Sequence, residues 1–294
     1  MGGPSRVLIL ACLTRTPAPQ YADEPEKFID SEVDLHEEVK RLGSLAAAPE
    51  LYPELVRLGA APSLLALLTH DNADIAAEGA LLLRELTDAD AAAESDAALA
   101  GAAALAEALC AGARAAEADA ADEAEACAGL AALVSALGRF DEAQTEEAAA
   151  VHSLLAVFEN LVEISPLLRD RLLAPAAGLL AWLLRRVTAP GTRVDANRVY
   201  AAELLAVLTA GGDAAARRLG EAGGIDALLR AIAPFKGGKK AKEKPKEGGD
   251  AEMVRGRRDA CSPEAPRCAD VSHATAGGGV CGELLRRAVL SHAA

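Results

Sequence analysis

Aromatic side chains are scarce in this chain. One Trp, three Tyr and four Phe make up 3% of its 294 residues, although 51% of them are hydrophobic. A core must therefore be assembled from Leu, Val and Ala. Such residues suit closely spaced helices and serve a β-sandwich poorly, since that fold draws on β-branched and aromatic side chains. The Ala excess also raises helix propensity on exposed faces, so an all-α fold is expected.

Long apolar runs are missing as well. No stretch reaches the roughly 18 residues that read as a membrane span. Val7 to Leu13 is short for a signal-peptide core, with one Arg before it and Thr14-Arg15-Thr16-Pro17 after it, so secretion is not expected. The six cysteines, at 12, 110, 127, 261, 268 and 281, follow no disulfide-framework spacing, which points to free thiols in a reducing compartment. Cys261, Cys268, His273 and Cys281 are zinc-ligand types, but their C-x6-C-x4-H-x7-C spacing lacks the short knuckle of structural zinc sites. No GxSxG, P-loop, GxGxxG or HExxH phrase occurs. The adjacent Glu146-Glu147 diverge on a helix and form no acid/base dyad. Neither a catalytic residue, a metal nor a cofactor is expected.

Acidic residues are plentiful and unevenly spread. The net charge is −14, yet residues from Lys236 onward carry 12 Lys/Arg against 8 Asp/Glu, which leaves 18 against 36 in residues 1–235. An acidic body repels phosphate backbones and attracts basic peptides. Direct nucleic-acid binding by the folded part is not expected. Solubilising an Ala-rich surface is an equally simple role for the acidity.

Leu55 to Asp90 holds one complete helix–turn–helix unit. Gly59-Ala60-Ala61-Pro62 breaks the first run. Leu64, Leu65, Leu67 and Leu68 form a short apolar helix, and Asp71 or Asn72 caps the next run, where Ile75, Leu82, Leu83 and Leu86 share a face. Such a pair cannot cover its own apolar sides and needs stacked copies. The Leu67-Leu68 pair recurs as Leu133-Val134, Leu183-Leu184 and Ala231-Ile232, at separations of 66, 50 and 48 residues. Two of these lie just above the armadillo/HEAT period of about 40–47 residues. The pattern predicts an armadillo/HEAT-like α-solenoid, a right-handed superhelix of three helical repeats and the start of a fourth.

In chain order, residues 1–25 read as a disordered lead and 26–58 as N-terminal capping helices. A capping-box pair, Asp34 with Glu37, opens the first of these helices. Repeats occupy 59–235, lengthened by an acidic Ala-rich insertion at about 111–126. Long helices are expected over Gln144–Ile164 and after Asp195 or Asn197, the latter stopped by Gly211-Gly212. Residues 236–294 form a basic linker and a mostly disordered tail. Lys239, Lys240 and Lys242 there fit either a nuclear-import signal or a solubilising linker.

Several phrases fall in one order: SEVDLHE (31–37), PELYPELV (49–56), LLALLTHDNAD (64–74), LLRELTDAD (82–90), GRFDEAQTEEAAAVHSLLAVFENL (138–161), GLLAWLLRR (178–186), VDANRVYAAELLAVL (194–208) and GGIDALLRAIAPFK (223–236). In these, residues 26–236 resemble the beta-catenin-like protein 1 family, nuclear armadillo-type proteins of eukaryotes. The resemblance implies a nuclear scaffold associated with the spliceosome that binds basic, nuclear-localisation-like segments of splicing factors. Family members continue with further repeats, whereas this chain leaves the pattern after Met253-Val254. A truncated solenoid is therefore expected, with its last apolar face open near Leu228, Leu229 and Ile232.

Armadillo peptide binders place an Asn on the long helix of each repeat to clamp an extended backbone. The equivalent positions are Glu85, Asn160 and Val207, only one of them Asn. That weakens the alternative of an importin-like cargo adaptor and shifts the burden to charge. Glu85, Asp88, Glu159 and Glu203 are the candidate acidic contacts, with Asn160, because carboxylates pair with Lys and Arg. Each also fits a solvated helix face. Trp182 and the lone histidines His70 and His152 read as packing and turn contacts.

Overall fold

A computed structural model describes residues 25–112, 126–189 and 195–232, and among these there are helices and turns but no strand. Four long helices form one layer: α1 (Pro25–Leu42), α4 (Ala73–Leu86), α8 (Thr145–Ile164) and α11 (Ala196–Thr209). Each packs on the next, α1 on α4, α4 on α8 and α8 on α11. Behind them lie α2 (Tyr52–Arg57), α3 (Ala60–Leu67), α6 (Asp96–Ala111), α7 (Ala128–Leu137), α10 (Leu179–Thr188) and α13 (Gly224–Ile232). Of these, α6 packs on α2 and α3, α7 on α6, and α10 on both α7 and α13. Short helices α5 (Ala89–Ala92), α9 (Arg169–Leu172) and α12 (Asp213–Glu221) make connections. The solenoid predicted from the leucine recurrence is present. Among the described residues no single helix is long and apolar enough to cross a membrane.

The repeat is visible in equivalent residues. Leu67, Leu133 and Leu183 are all buried in one continuous core, on α3, α7 and α10. Gly59 and Gly178 precede α3 and α10 at φ 74° and 76°, a left-handed turn that only Gly adopts without steric cost. Asn72 accepts from the Asp74 N–H at 3.0 Å and caps α4; Asp195 does the same for α11 through the Arg198 N–H at 2.8 Å. Arginine side chains sew one repeat to the next. Arg139, after α7, donates to the Leu68 and His70 carbonyls at 3.1 and 3.0 Å.

Some expectations need correction. Asp34 lies inside α1 and does not open it, because Pro25 suits a first turn and Leu35 and Val39 are buried. Asn197 is not a cap but a buried residue of α11. Helix α12 was not anticipated: after Gly211-Gly212 only Ala215 and Leu219 of it are buried, too thin a stripe to recognise. On α13, Leu228 is buried rather than open, since that face turns onto α10, while Ile225 and Leu229 are exposed. Residues 1–24, 113–125 and the stretch from 233 lie outside the described residues, and with them the lead, nearly all of the acidic insertion, the tail cysteines and Lys239, Lys240 and Lys242.

Two glycines let helices touch. A Cβ at Gly101 on α6 would sit 2.0 Å from the Pro49 carbonyl oxygen, and one at Gly129 on α7 would sit 1.8 Å from the Leu109 carbonyl oxygen. Both obstacles are backbone and cannot swing aside. Gly101→Ala is expected to cost about 1–3 kcal/mol, the range for overpacking, read from the urea midpoint.

Candidate protein-interaction surface

The C-terminal halves of the long helices bring carboxylates together. Asp88 stands just before α5 and caps it, accepting from the Ala91 N–H at 2.9 Å, and Asp90 follows inside it. Glu159 and Glu163 lie one turn apart on α8, and Glu203 is exposed on α11. The Glu163 carboxyl is held above the usual carboxylate range by partial burial and then by the charges of Glu159, Asp90 and Asp88. Tyr200 of α11 reaches back and donates its hydroxyl to Glu159 Oε2 at 2.5 Å. Its own ionisation is pushed upward by burial, by that hydrogen bond and by the charges of Glu159 and Glu203, with Arg84 opposing. The ring of Tyr200 also meets His152, centroids 4.8 Å apart. Three repeats thus share one acidic ridge, an arrangement that favours an incoming cation.

Three of the five sequence candidates, Asp88, Glu159 and Glu203, join this ridge. Asn160 and Glu85 do not. The Asn160 amide donates to Thr87 Oγ1 at 3.5 Å, while Thr87 donates to the Leu83 carbonyl at 2.8 Å, so Asn160 leans on α4. Glu85 faces the turn after α1, where a Cβ on Gly43 would lie 2.9 Å from its Oε2. Sequence reasoning missed Asp90, Glu163 and Tyr200. The spacing of Glu163 four residues after Glu159 was the available signal, since such pairs share a helix face.

A second polar group ties α8, α10 and α11 together. Arg186 on α10 bridges Glu142 at 2.7 Å and Asp195 at 2.8 Å. The buried Asn197 donates to Glu142 Oε2 and to the Ala148 carbonyl, both at 2.9 Å. These bonds are internal and align neighbouring repeats. His70 makes a turn contact, its Nδ1 accepting from the Asn72 N–H at 3.1 Å, and Trp182 packs half-buried on the core. Cys110 and Cys127 are buried and not joined in a disulfide, and burial pushes Cys110 up to about 12, far from a reactive thiolate. Among the described residues no cluster of three His, Cys, Asp or Glu is placed to hold a metal ion.

Stacked helical pairs with a carboxylate-lined long-helix layer define an armadillo-type protein of the interaction class. The chain belongs to the family described as catenin-beta-like, Arm-motif containing nuclear, which matches residues 18–256. It is 40% identical over 217 residues to the beta-catenin-like protein 1 of Bos taurus and of Homo sapiens, covering 74% of this chain and 35% of each of those proteins. A beta-catenin-like protein 1 homolog of Schizosaccharomyces pombe is 30% identical over 236 residues, 80% of this chain and 37% of that protein. The chain thus matches little more than a third of the length of these relatives. The resemblance carried by the eight phrases holds, and the family is nuclear.

Proposed function

We propose that this chain is a protein-interaction scaffold of the splicing machinery whose acidic ridge receives basic, nuclear-localisation-like segments of splicing factors. The observation that supports it is the convergence of Asp88, Asp90 and Glu159 on Glu163, whose carboxyl is raised by partial burial and then by these charges, with Tyr200 joining Glu159 and lying within electrostatic reach of Glu203. A group of mutually repelling carboxylates is stabilised by a lysine or arginine that none of them can supply. The importin-like alternative is weaker, because Asn160 is turned to Thr87 and positions 85 and 207 carry no amide. Affinity capture from nuclear extract tests the proposal. Splicing factors are expected with the native chain, and their absence alongside a working control scaffold sinks it.

Acidity supplies a second test. A raised carboxylate keeps its proton longer in the fold than in the unfolded chain, so protonating Glu163 as pH falls favours the fold but weakens cation binding. Affinity for a lysine-rich peptide is expected to drop roughly 1.5–5-fold as pH falls through that raised range, on the scale of one exposed ion pair. Glu163→Gln should flatten this part of the profile in calorimetric titrations. An unchanged profile removes Glu163 from the ridge.

A further inference from the structure

Next to the ridge, toward the N-terminal halves of the same helices, an open cleft of about 520 Å³ lies between α1, α4 and α8. Ala77, Leu81 and Ala149 give it an apolar floor, and Asp74, Glu78 and Glu146 give it an acidic rim. Leu81 is half-buried and Ala149 is exposed. Arg84 stands at the cleft and also within electrostatic reach of Tyr200, so it marks the boundary between cleft and ridge.

We infer that this cleft is an apolar subsite for a leucine- or phenylalanine-sized side chain on the same basic segment that the ridge receives. The inference rests on the proposed basic-segment binding and adds to it a requirement that charge alone does not impose. Two features select this occupant. The carboxylates of rim and ridge draw a cationic chain to this face, which disfavours an acidic partner. Arg84 at the boundary and the apolar side chains of the floor disfavour a second lysine and favour an uncharged one. Ala149 to Glu159 spans ten residues of α8, and Leu81 lies seven positions before Asp88, the first five of them in α4, so cleft and ridge are about 10–15 Å apart at 1.5 Å per residue. An extended segment covers that distance in roughly three to five residues. The partner is therefore a short run of Lys or Arg with a Leu or Phe roughly three to five residues away.

The test uses the full chain and synthetic peptides that carry a lysine run, a Gly/Ser spacer of varied length, and Leu, Phe or Ala. Calorimetry is expected to show the Leu and Phe peptides binding about tenfold tighter than the Ala peptide, the scale of one buried aliphatic side chain, with the best spacer in the stated range. Ala149→Phe, on an exposed helical position, should obstruct the cleft and erase that preference. Equal binding of Leu and Ala peptides to the native chain overturns the subsite and leaves the ridge standing. If Ala149→Phe weakens every peptide alike, the subsite is likewise overturned. Binding by none of the peptides removes the basic-segment reading and the subsite together. Self-association of the native chain that Ala149→Phe abolishes would assign the cleft to a second copy instead, against the inference.

Discussion

Converting Asp90, Glu163 and Glu203 together to lysine is expected to weaken binding of a lysine-rich peptide by about 100-fold or more. An exposed ion pair contributes about 0.2–1 kcal/mol, and reversal replaces each attraction by a repulsion. Three reversals at about 1 kcal/mol each reach about 3 kcal/mol, which is the stated factor. These three positions are chosen because the fold does not use their carboxylates. Asp88 caps α5 and Glu159 accepts from Tyr200, so changing either would confuse binding with folding. A lysine in the last turn of α8, at position 163, also suits the helix dipole and relieves the repulsion that Glu163 meets there. Helicity and melting should therefore be preserved while binding is lost. Calorimetry at low ionic strength measures the effect, and added salt should shrink the gap by weakening the native chain. A triple variant that binds as well as the native chain would mean that the ridge is not where cationic segments dock.

Phe158→Ala is expected to cost about 3–5 kcal/mol, the range for truncating a buried aromatic residue. Phe158 is fully buried on α8, and α8 alone touches both α4 and α11 in the long-helix layer. Set against a total of about 5–15 kcal/mol for a typical domain, the loss is large enough to leave a measurable unfolded fraction. Urea denaturation followed by circular dichroism would register it as a lower midpoint. A loss below about 1 kcal/mol would show that the surrounding Leu and Ala side chains collapse into the space.

Most of the architecture was legible because a solenoid writes its contacts locally. Leu67, Leu133 and Leu183 recur because each short helix meets the same surroundings, and Asn72 and Asp195 announce helix starts through their own side chains. Features that depend on a neighbouring repeat were harder to read. Arg139 looked like any charged residue after a helix, yet it binds carbonyls some 70 positions earlier in the chain. Helix α12 stayed hidden as well, because its two buried residues are too few to show a period. At the acidic surface, Asp88, Glu159 and Glu203 were selected by sequence position, and their convergence depended on how α5, α8 and α11 are set side by side. Tyr200 was invisible as a member, because its tie to Glu159 crosses from α11 to α8. Glu85 lies apart from the ridge for the converse reason. Its place on α4 matched the repeat, but the turn holding Gly43 lies against it.

The crossing of α6 and α7 carries a practical consequence. Gly112 and Gly129 lie in near contact, with the Gly112 nitrogen 2.8 Å from where a Cβ on Gly129 would stand, and Arg171 grips the Ala126 carbonyl at 2.5 Å and Glu107. Gly112, at the end of α6, and Gly129, in the first turn of α7, thus lie side by side. Lengthening a connection whose anchors already touch adds only about 0.6 kcal/mol per doubling. A fluorescent reporter or affinity handle grafted between residues 112 and 126 would therefore be anchored where α6 meets α7, in the short-helix layer, and is expected to leave the proposed binding of basic segments intact.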